Sequence, residues 1–230
     1  MKTHDILWQK NGGFTIIELL VVAVILTVLL ALAIPAVDGF RSAPSLKSAA
    51  GQVMAASELA RVRAIESGRP SFLVFSGGNA PSDVTRFSRF AVFVEEDGED
   101  EHGDPVVVFN PAMTGWEKLP EGVVFSPGGS ILDGLRTVMD AEPNPPHEFP
   151  FPGSAQDGAQ RFVACPYVRF NSLGGIEFPS TPDLMNIVVA RGAVSEGKIR
   201  YGERDKDGRP VRETIQLSRV TGLGRQLEQY

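Results

Sequence analysis

The chain has 230 residues, 43% of them apolar, and a formal net charge of −6. This length accommodates a membrane helix and one ordinary domain, and the apolar content excludes a chain that is disordered throughout. The acidic balance gives no general attraction to nucleic acid or to anionic lipid.

An apolar run extends from Phe14 to Val37 near the start of the chain. Its roughly 24 residues would form about 36 Å of helix, enough to cross a ~30 Å hydrocarbon core. Glu18 lies inside this run, where an ionised acid costs ~2.5–3.5 kcal/mol, so we expect the charge to have a use. A cut between Gly13 and Phe14 would place the new amine one helical turn before Glu18, on the same face, where the two can pair.

This pattern resembles the leader signal of type IV pilins and type II secretion pseudopilins. The matching features are a polar leader at residues 1–13 with Lys2 and Lys10, Gly13 before the cut, Phe14 as the first mature residue, Glu18 as the fifth, and Pro35 within the apolar run. The resemblance implies that prepilin peptidase removes the leader and methylates the Phe14 amine. It also implies that Glu18 takes part in filament assembly with other subunits.

An ordinary secretory signal is the alternative interpretation of the same segment. Ala31-Leu32-Ala33 would then be the signal peptidase site, and the protein would be a secreted or membrane-tethered binding domain. The Glu18 charge and the length of the apolar run count against this alternative. The pilin-type motif predicts a single-pass protein of the inner membrane, in contact with lipid through residues 14–37, with its N-terminus in the cytoplasm and its head in the periplasm.

The helix is predicted to continue past Pro35, which removes one backbone donor and should kink the helix rather than end it. Residues 38–67 form the predicted amphipathic half, and Gly68 and Pro70 mark its end. Apolar residues recur at steps of three and four in this half, and most are alanines: Leu46, Ala49, Ala50, Val53, Ala56, Ala60 and Ala64. Such small side chains allow a sheet to approach the helix closely.

From residue 71 onward the sequence changes to short runs of β-branched and aromatic residues separated by turn residues. The predicted strands are 71–75, 87–94, 106–109, 123–125, 162–170, 176–178, 186–190, 198–201 and 211–217. No long helices alternate with them, so the head, residues 71–230, is predicted to be an antiparallel sheet. Five prolines between 140 and 160 predict an exposed loop there. The fold class is α+β: a long transmembrane and amphipathic helix packed on an antiparallel, pilin-like β head.

The junction at residues 59–75, where the helix stops at Gly68-Arg69-Pro70 and a strand follows at once, resembles that of H-type, FimT-like minor pseudopilins. The segments 170–175 and 220–222 fit the closing strands of the same group. Some FimT-like pilins bind DNA through a C-terminal Gly-Arg-x-Arg segment. The tail here supplies only Arg225, and the chain is acidic, so a DNA-binding competence pilin is a minor alternative and nucleic acid is not expected as a partner.

Sequence signals for catalysis are missing, and the chain is predicted to be a non-enzyme without cofactor or metal. His4, His102 and His147 are not at the spacing of a metal site, and there is no nucleophile elbow or phosphate-binding glycine loop. Residues 95–104 include seven acids, and oxygen-rich loops of this kind can hold calcium. Their spacing is not that of an EF-hand loop, which favours a solvated hairpin tip, and calcium binding is left open. The lone Cys165 lies in a strand-like run, which predicts a small buried residue rather than a reactive thiol.

Overall fold

The computed structural model describes residues 16–99, 105–112, 115–128, 134–142, 146–152, 161–181 and 185–227, and within 28–44 and 105–106 it describes the backbone without the side chains. Helix α1 extends over Ile16–Ser67. Residues 44–230 form one compact unit, and the chain before Pro44 is a separate unit. The helix is followed by strands, so the α+β class predicted from the sequence is confirmed.

Helix α1 ends at the glycine stop that the sequence predicted. The helix stops at Ser67, and Gly68 adopts a φ of 67°, a left-handed conformation that glycine reaches without a steric penalty. The Ser67 hydroxyl donates a hydrogen bond to the Arg63 carbonyl oxygen at 2.7 Å. Strand β1 begins at Ser71, three residues after the glycine.

The first sheet has β1 in its centre. The strands described in this sheet are β1 Ser71–Phe75, β2 Arg89–Glu99, β3 Pro105–Pro111, β4 Glu117–Lys118, β8 Tyr167–Phe170 and β9 Ile176–Phe178. Their order is β3-β2-β1-β8-β9, with β4 also paired to β2. Each described pairing in this sheet is antiparallel, as predicted.

A second sheet is built mostly from the C-terminal part of the chain. Its described strands are β5 Val123–Phe125, β10 Asn186–Ser195, β11 Lys198–Tyr201, β12 Arg212–Leu217 and β13 Gly224–Leu227. Their order is β11-β10-β12-β13, with β5 paired to β10. A third, two-stranded sheet consists of β6 Glu148–Phe151 and β7 Arg161–Ala164.

The alanine-rich stripe of α1 forms the main core together with residues from the two larger sheets. The seven stripe residues predicted from the sequence are all buried, each no more than 3% exposed. They share one hydrophobic cluster with Leu73 and Phe75 of β1 and with Ile187 and Ile215 of the second sheet. The hydroxyl of Ser71, itself fully buried, donates a hydrogen bond to the Ala60 carbonyl oxygen of the helix. The packing predicted for the amphipathic half is therefore present.

The other face of the first sheet is covered as well. Because side chains alternate along a strand, Phe72 and Val74 of β1 point away from the helix cluster and belong to a second cluster. Phe149 and Phe151 of β6 complete this cluster and are 0% and 1% exposed. The Trp116 indole N–H donates a hydrogen bond to the Pro150 carbonyl oxygen at 2.8 Å, which fastens β6 at its outer side.

The exposed loop predicted at residues 140–160 is wrong for Glu148–Phe151. These residues form β6 although Pro150 lies within the strand, because β6 pairs with β7 alone among the described strands and proline is tolerated in an edge strand. Phe149 and Phe151, on either side of Pro150, are buried and supply the apolar contact area of the strand. Residues 153–160 of the predicted loop lie outside the described residues.

Several predicted strands have different limits in the structure; β10, for example, continues to Ser195, five residues past its predicted end. The single strand predicted at 162–170 is divided at Cys165-Pro166 into β7 and β8, which belong to different sheets. Strand β2 continues to Glu99, so the first half of the predicted acidic tip is extended and paired with β3. Arg69 forms an ion pair with Asp97, and its hydrogen bond lowers the pKa of the Asp97 carboxyl group. Residues 100–104 lie outside the described residues.

The close approach of helix and sheet gives a first prediction. Ala60→Leu should lower the free energy of unfolding by about 1–3 kcal/mol, because the added atoms have no space at a fully buried position. Ala55→Leu makes the same change on the exposed side of α1 and should stay within about 0.5 kcal/mol of the unchanged chain. Urea denaturation of the full chain in detergent, followed by near-ultraviolet circular dichroism, measures both. Equal effects would contradict the packing described for the stripe.

A second prediction concerns His147, whose ring lies 5.6 Å from that of Phe72 and 5.4 Å from that of Tyr167. Burial, and next the nearby Arg169 guanidinium, lower the pKa of His147 below its usual value, while Glu95 acts in the opposite direction. The unfolded chain therefore binds the proton more readily, so the stability from neutral His147 is complete above about pH 6.5 and is lost as the pH falls through the lower folded value.

His147→Phe keeps an aromatic ring in this position and cannot take up the proton. We expect the free energy of unfolding to fall less steeply below about pH 6.5 in this variant than in the unchanged chain. Urea denaturation at a series of pH values gives both slopes. Identical slopes would show that His147 does not contribute to the pH dependence.

Candidate assembly site

The first described turns of α1 carry the residue predicted to act in assembly. Glu18 lies in the first turn of the helix as the structure describes it, two residues after Ile16. Gly13 and Phe14, the predicted cleavage and methylation residues, lie outside the described residues. Their roles therefore stay predictions, and so does the assembly role of Glu18.

Large apolar side chains surround Glu18 on every side of the helix. Their exposed fractions range from 49% at Val21 and Val22 to 87% at Ile16. The set comprises Ile16, Ile17, Leu19, Leu20, Val21, Val22, Val24, Ile25 and Leu26. A helix that is apolar all round is typical of one buried in protein or in a membrane.

The one side-chain hydroxyl among residues 19–27 is satisfied within the helix. The Thr27 hydroxyl donates to the Ala23 carbonyl oxygen at 2.5 Å, one turn earlier. A side-chain donor that is paired in this way can enter an apolar environment without an unmade hydrogen bond. The segment 16–27 therefore combines a single carboxylate with a surface suited to apolar neighbours.

Within the described part of the chain, no helix combines the length and the apolar content that a membrane crossing needs. The predicted span, residues 14–37, is only partly included there, since residues 14 and 15 and the side chains of 28–37 are outside it. The backbone of α1 continues through Pro35, as predicted. The kink at Pro35 stays a prediction.

At its other end, α1 is joined to two turns of the head. The Arg61 side chain donates from Nε to the Thr221 carbonyl oxygen at 2.7 Å. Gly222 adopts a φ of 69°, and a Cβ atom there would lie 2.2 Å from the Gly174 carbonyl oxygen. The segments 170–175 and 220–222 thus meet beside the last turns of the helix. These are the segments that resemble the closing strands of H-type, FimT-like subunits. Sequence analysis missed this contact, and the paired glycines of the two turns were its only signal.

The C-terminal arginine considered for DNA binding is part of the second sheet. Arg225 lies in β13 and donates from Nη2 and Nε to the Gln216 side-chain oxygen of β12, at 2.6 and 3.1 Å. A guanidinium held across two strands presents fewer of its donors to phosphate.

Metal ligands and the lone cysteine are the other candidates for chemistry in this chain. No group of three or more His, Cys, Asp or Glu side chains that could hold a metal ion occurs among the described residues. Cys165 is 4% exposed, and burial raises the pKa of its thiol to about 12, so the predicted buried role is confirmed.

Comparison with known proteins gives a family match near the start of the chain. Residues 8–34 match the family model described as the prokaryotic N-terminal methylation motif. No curated protein and no solved structure matches the chain. The matched segment includes Gly13, Phe14 and Glu18, and it supports the type IV pilin and pseudopilin family.

The motif generates a prediction about processing. Mass spectrometry of the chain recovered from a host with a prepilin peptidase should give a mature N-terminus at Phe14 carrying one added methyl group. Gly13→Glu should leave the leader attached, because the small residue before the cut is lost. A mature chain that begins at Ile34 would contradict this prediction, since signal peptidase would then have cut after Ala33.

Proposed function

We propose that this chain is a minor pilin or pseudopilin, a structural subunit without enzymatic activity. Prepilin peptidase removes residues 1–13, and the mature helix assembles with other subunits in a type II secretion pseudopilus or a type IV pilus-like filament. The observation that carries the proposal is the methylation motif at residues 8–34, within which the helix from residue 16 to residue 27 exposes apolar side chains on every face.

The head supports the same proposal. In residues 44–230 the helix contributes its alanine-rich stripe to the core, so the helix and the two large sheets of this unit form one body. The helix end at Ser67 and the start of β1 at Ser71 agree with the junction that resembles H-type, FimT-like minor subunits. We therefore favour this subtype, with the subunit anchored in the inner membrane, its N-terminus in the cytoplasm and its head in the periplasm before assembly.

Glu18 supplies the specificity of the proposed assembly. In a low-dielectric environment the methylated Phe14 amine needs an opposite charge, and Glu18 provides one, either in the same subunit or in a neighbour. Removing one member of a buried ion pair typically costs ~3–5 kcal/mol because the other charge is left uncompensated.

The test replaces Glu18 in the full chain. Glu18→Ala should permit membrane insertion and leader cleavage but prevent co-assembly, and Glu18→Asp should be intermediate because it keeps the carboxylate on a shorter stem. The assay is chemical crosslinking to other filament subunits, with membrane fractionation as the control.

Thr27→Ala is the matched variant in the same helix. It removes a hydroxyl that is already paired within the helix, so crosslinking should be unchanged. If Glu18→Ala crosslinks as well as Thr27→Ala does, Glu18 has no role in assembly and the helix is an anchor only.

A further inference from the structure

The cover sheet consists of His147 and the strands β6 and β7. Among the described strands, β6 and β7 pair only with each other. The cover sheet lies on the aromatic face of the first sheet but is not joined to it by a strand ladder. A unit attached in this way can separate without breaking the backbone hydrogen bonds of the sheet beneath it.

Side chains supply the contacts that hold the cover sheet in place. The Trp116 and Phe151 rings lie 4.5 Å apart. Among the described residues, two hydrogen bonds join the cover sheet to the rest of the head, and in both the donor is a side chain. The Trp116 indole N–H donates to the Pro150 carbonyl oxygen at 2.8 Å, and the Asn79 amide donates to the Ala164 carbonyl oxygen at 3.4 Å.

His147 is the titratable side chain that the cover sheet inserts into the aromatic face. Its ring lies 5.6 Å from Phe72 of β1, 5.7 Å from Phe109 of β3 and 5.4 Å from Tyr167 of β8. The neutral imidazole packs there as one more ring. A proton would place a charge in a half-buried aromatic site, which is unfavourable.

The surrounding charges do not reverse this preference. The titratable and charged groups beside His147 come from four strands: Tyr167 and Arg169 of β8, Glu95 of β2, Glu177 of β9 and Glu148 of β6. Arg169 is paired with Glu95 at 3.3 Å and with Glu177 at 3.1 Å. Burial, and next Arg169, lower the pKa of His147, while Glu95 acts in the opposite direction. The proton therefore binds more readily when His147 is in water, that is, when the cover sheet has opened.

We infer that the cover sheet is an acid-released lid, which lifts from the first sheet as one unit when His147 takes up a proton. Opening uncovers Phe72, Phe109 and Tyr167, so the head presents in acid an aromatic surface that it covers at neutral pH. The helix cluster lies on the opposite face of the first sheet and stays packed. The inference concerns the head alone and does not depend on assembly into a filament.

The test is hydrogen exchange of the full chain in detergent, followed by mass spectrometry of its peptides. The unchanged chain and His147→Phe are compared at about pH 7.5 and at about pH 5, above and below the usual histidine pKa. His147→Phe keeps a ring in the aromatic face and cannot take up the proton. Comparing the two proteins at the same pH removes the intrinsic pH dependence of amide exchange.

We expect the two proteins to exchange alike at the higher pH. At the lower pH, peptides from β6 and β7 should exchange at least about threefold faster in the unchanged chain than in His147→Phe, because only the unchanged chain gains a proton on opening. Peptides from β10 and β12 should exchange alike in both proteins. Equal exchange in β6 and β7 at both pH values would overturn the inference, and so would an equal acceleration in β10 and β12, which would indicate unfolding of the whole head.

Trp116→Phe tests the lid without changing its proton uptake. It keeps an aromatic ring beside Phe151 but removes the N–H that bonds Pro150. Exchange of β6 and β7 should rise relative to the unchanged chain by a similar factor at both pH values, since His147 is still present. No acceleration, or one spread equally over β10 and β12, would show that the cover sheet does not open as a separate unit and would overturn the inference.

Discussion

The close packing of the helix on the first sheet is the constraint on which the head depends. Alanines at positions 49, 50, 56, 60 and 64 bring the helix backbone near β1, and the buried Ser71 hydroxyl bonds directly to the Ala60 carbonyl oxygen. Larger side chains would hold the helix away and leave Ser71 without its partner, which is costly for a buried hydroxyl. Since β1 is the central strand of its sheet, its position fixes the neighbouring strands on both sides.

The composition of β1 also explains why a second layer covers the other face of the first sheet. All five residues of β1 are buried, so both faces of the first sheet need a cover. The helix covers one face, and the β6 phenylalanines cover the other in an aromatic cluster with rings 4.8–5.6 Å apart around Phe149. Arg169 stays in this layer because it pairs with Glu95 and Glu177 and lies 5.6 Å from the Phe72 ring centroid.

Sequence patterns predicted the features that depend on local periodicity. The stripe from Leu46 to Ala64, the stop at Gly68 and the limits of β1, β5, β9 and β11 agree with the structure. The predictions that were wrong concern features that depend on tertiary contacts. Phe149 and Phe151 form a strand despite Pro150 because they cover a distant aromatic face, and Cys165-Pro166 divides one apolar run between two sheets. The contact between the turns at Gly174 and Gly222 has no local signal other than the two glycines themselves.

The candidate assembly site could be proposed from the sequence because it depends on a short motif rather than on the fold. Glu18 was identified as a charge inside an apolar run, and the structure adds that its neighbours are exposed around the whole helix. The central claim is that the helix packs against other subunits, and it rests on this exposed apolar surface rather than on the packed head.

The most direct test of that claim places a photo-crosslinking amino acid at Leu20, which is 60% exposed, in the full chain in living cells. The claim predicts adducts between this position and the N-terminal helices of other processed filament subunits, identified by mass spectrometry. Adducts with lipid alone, from a chain that is cleaved and inserted normally, would contradict it.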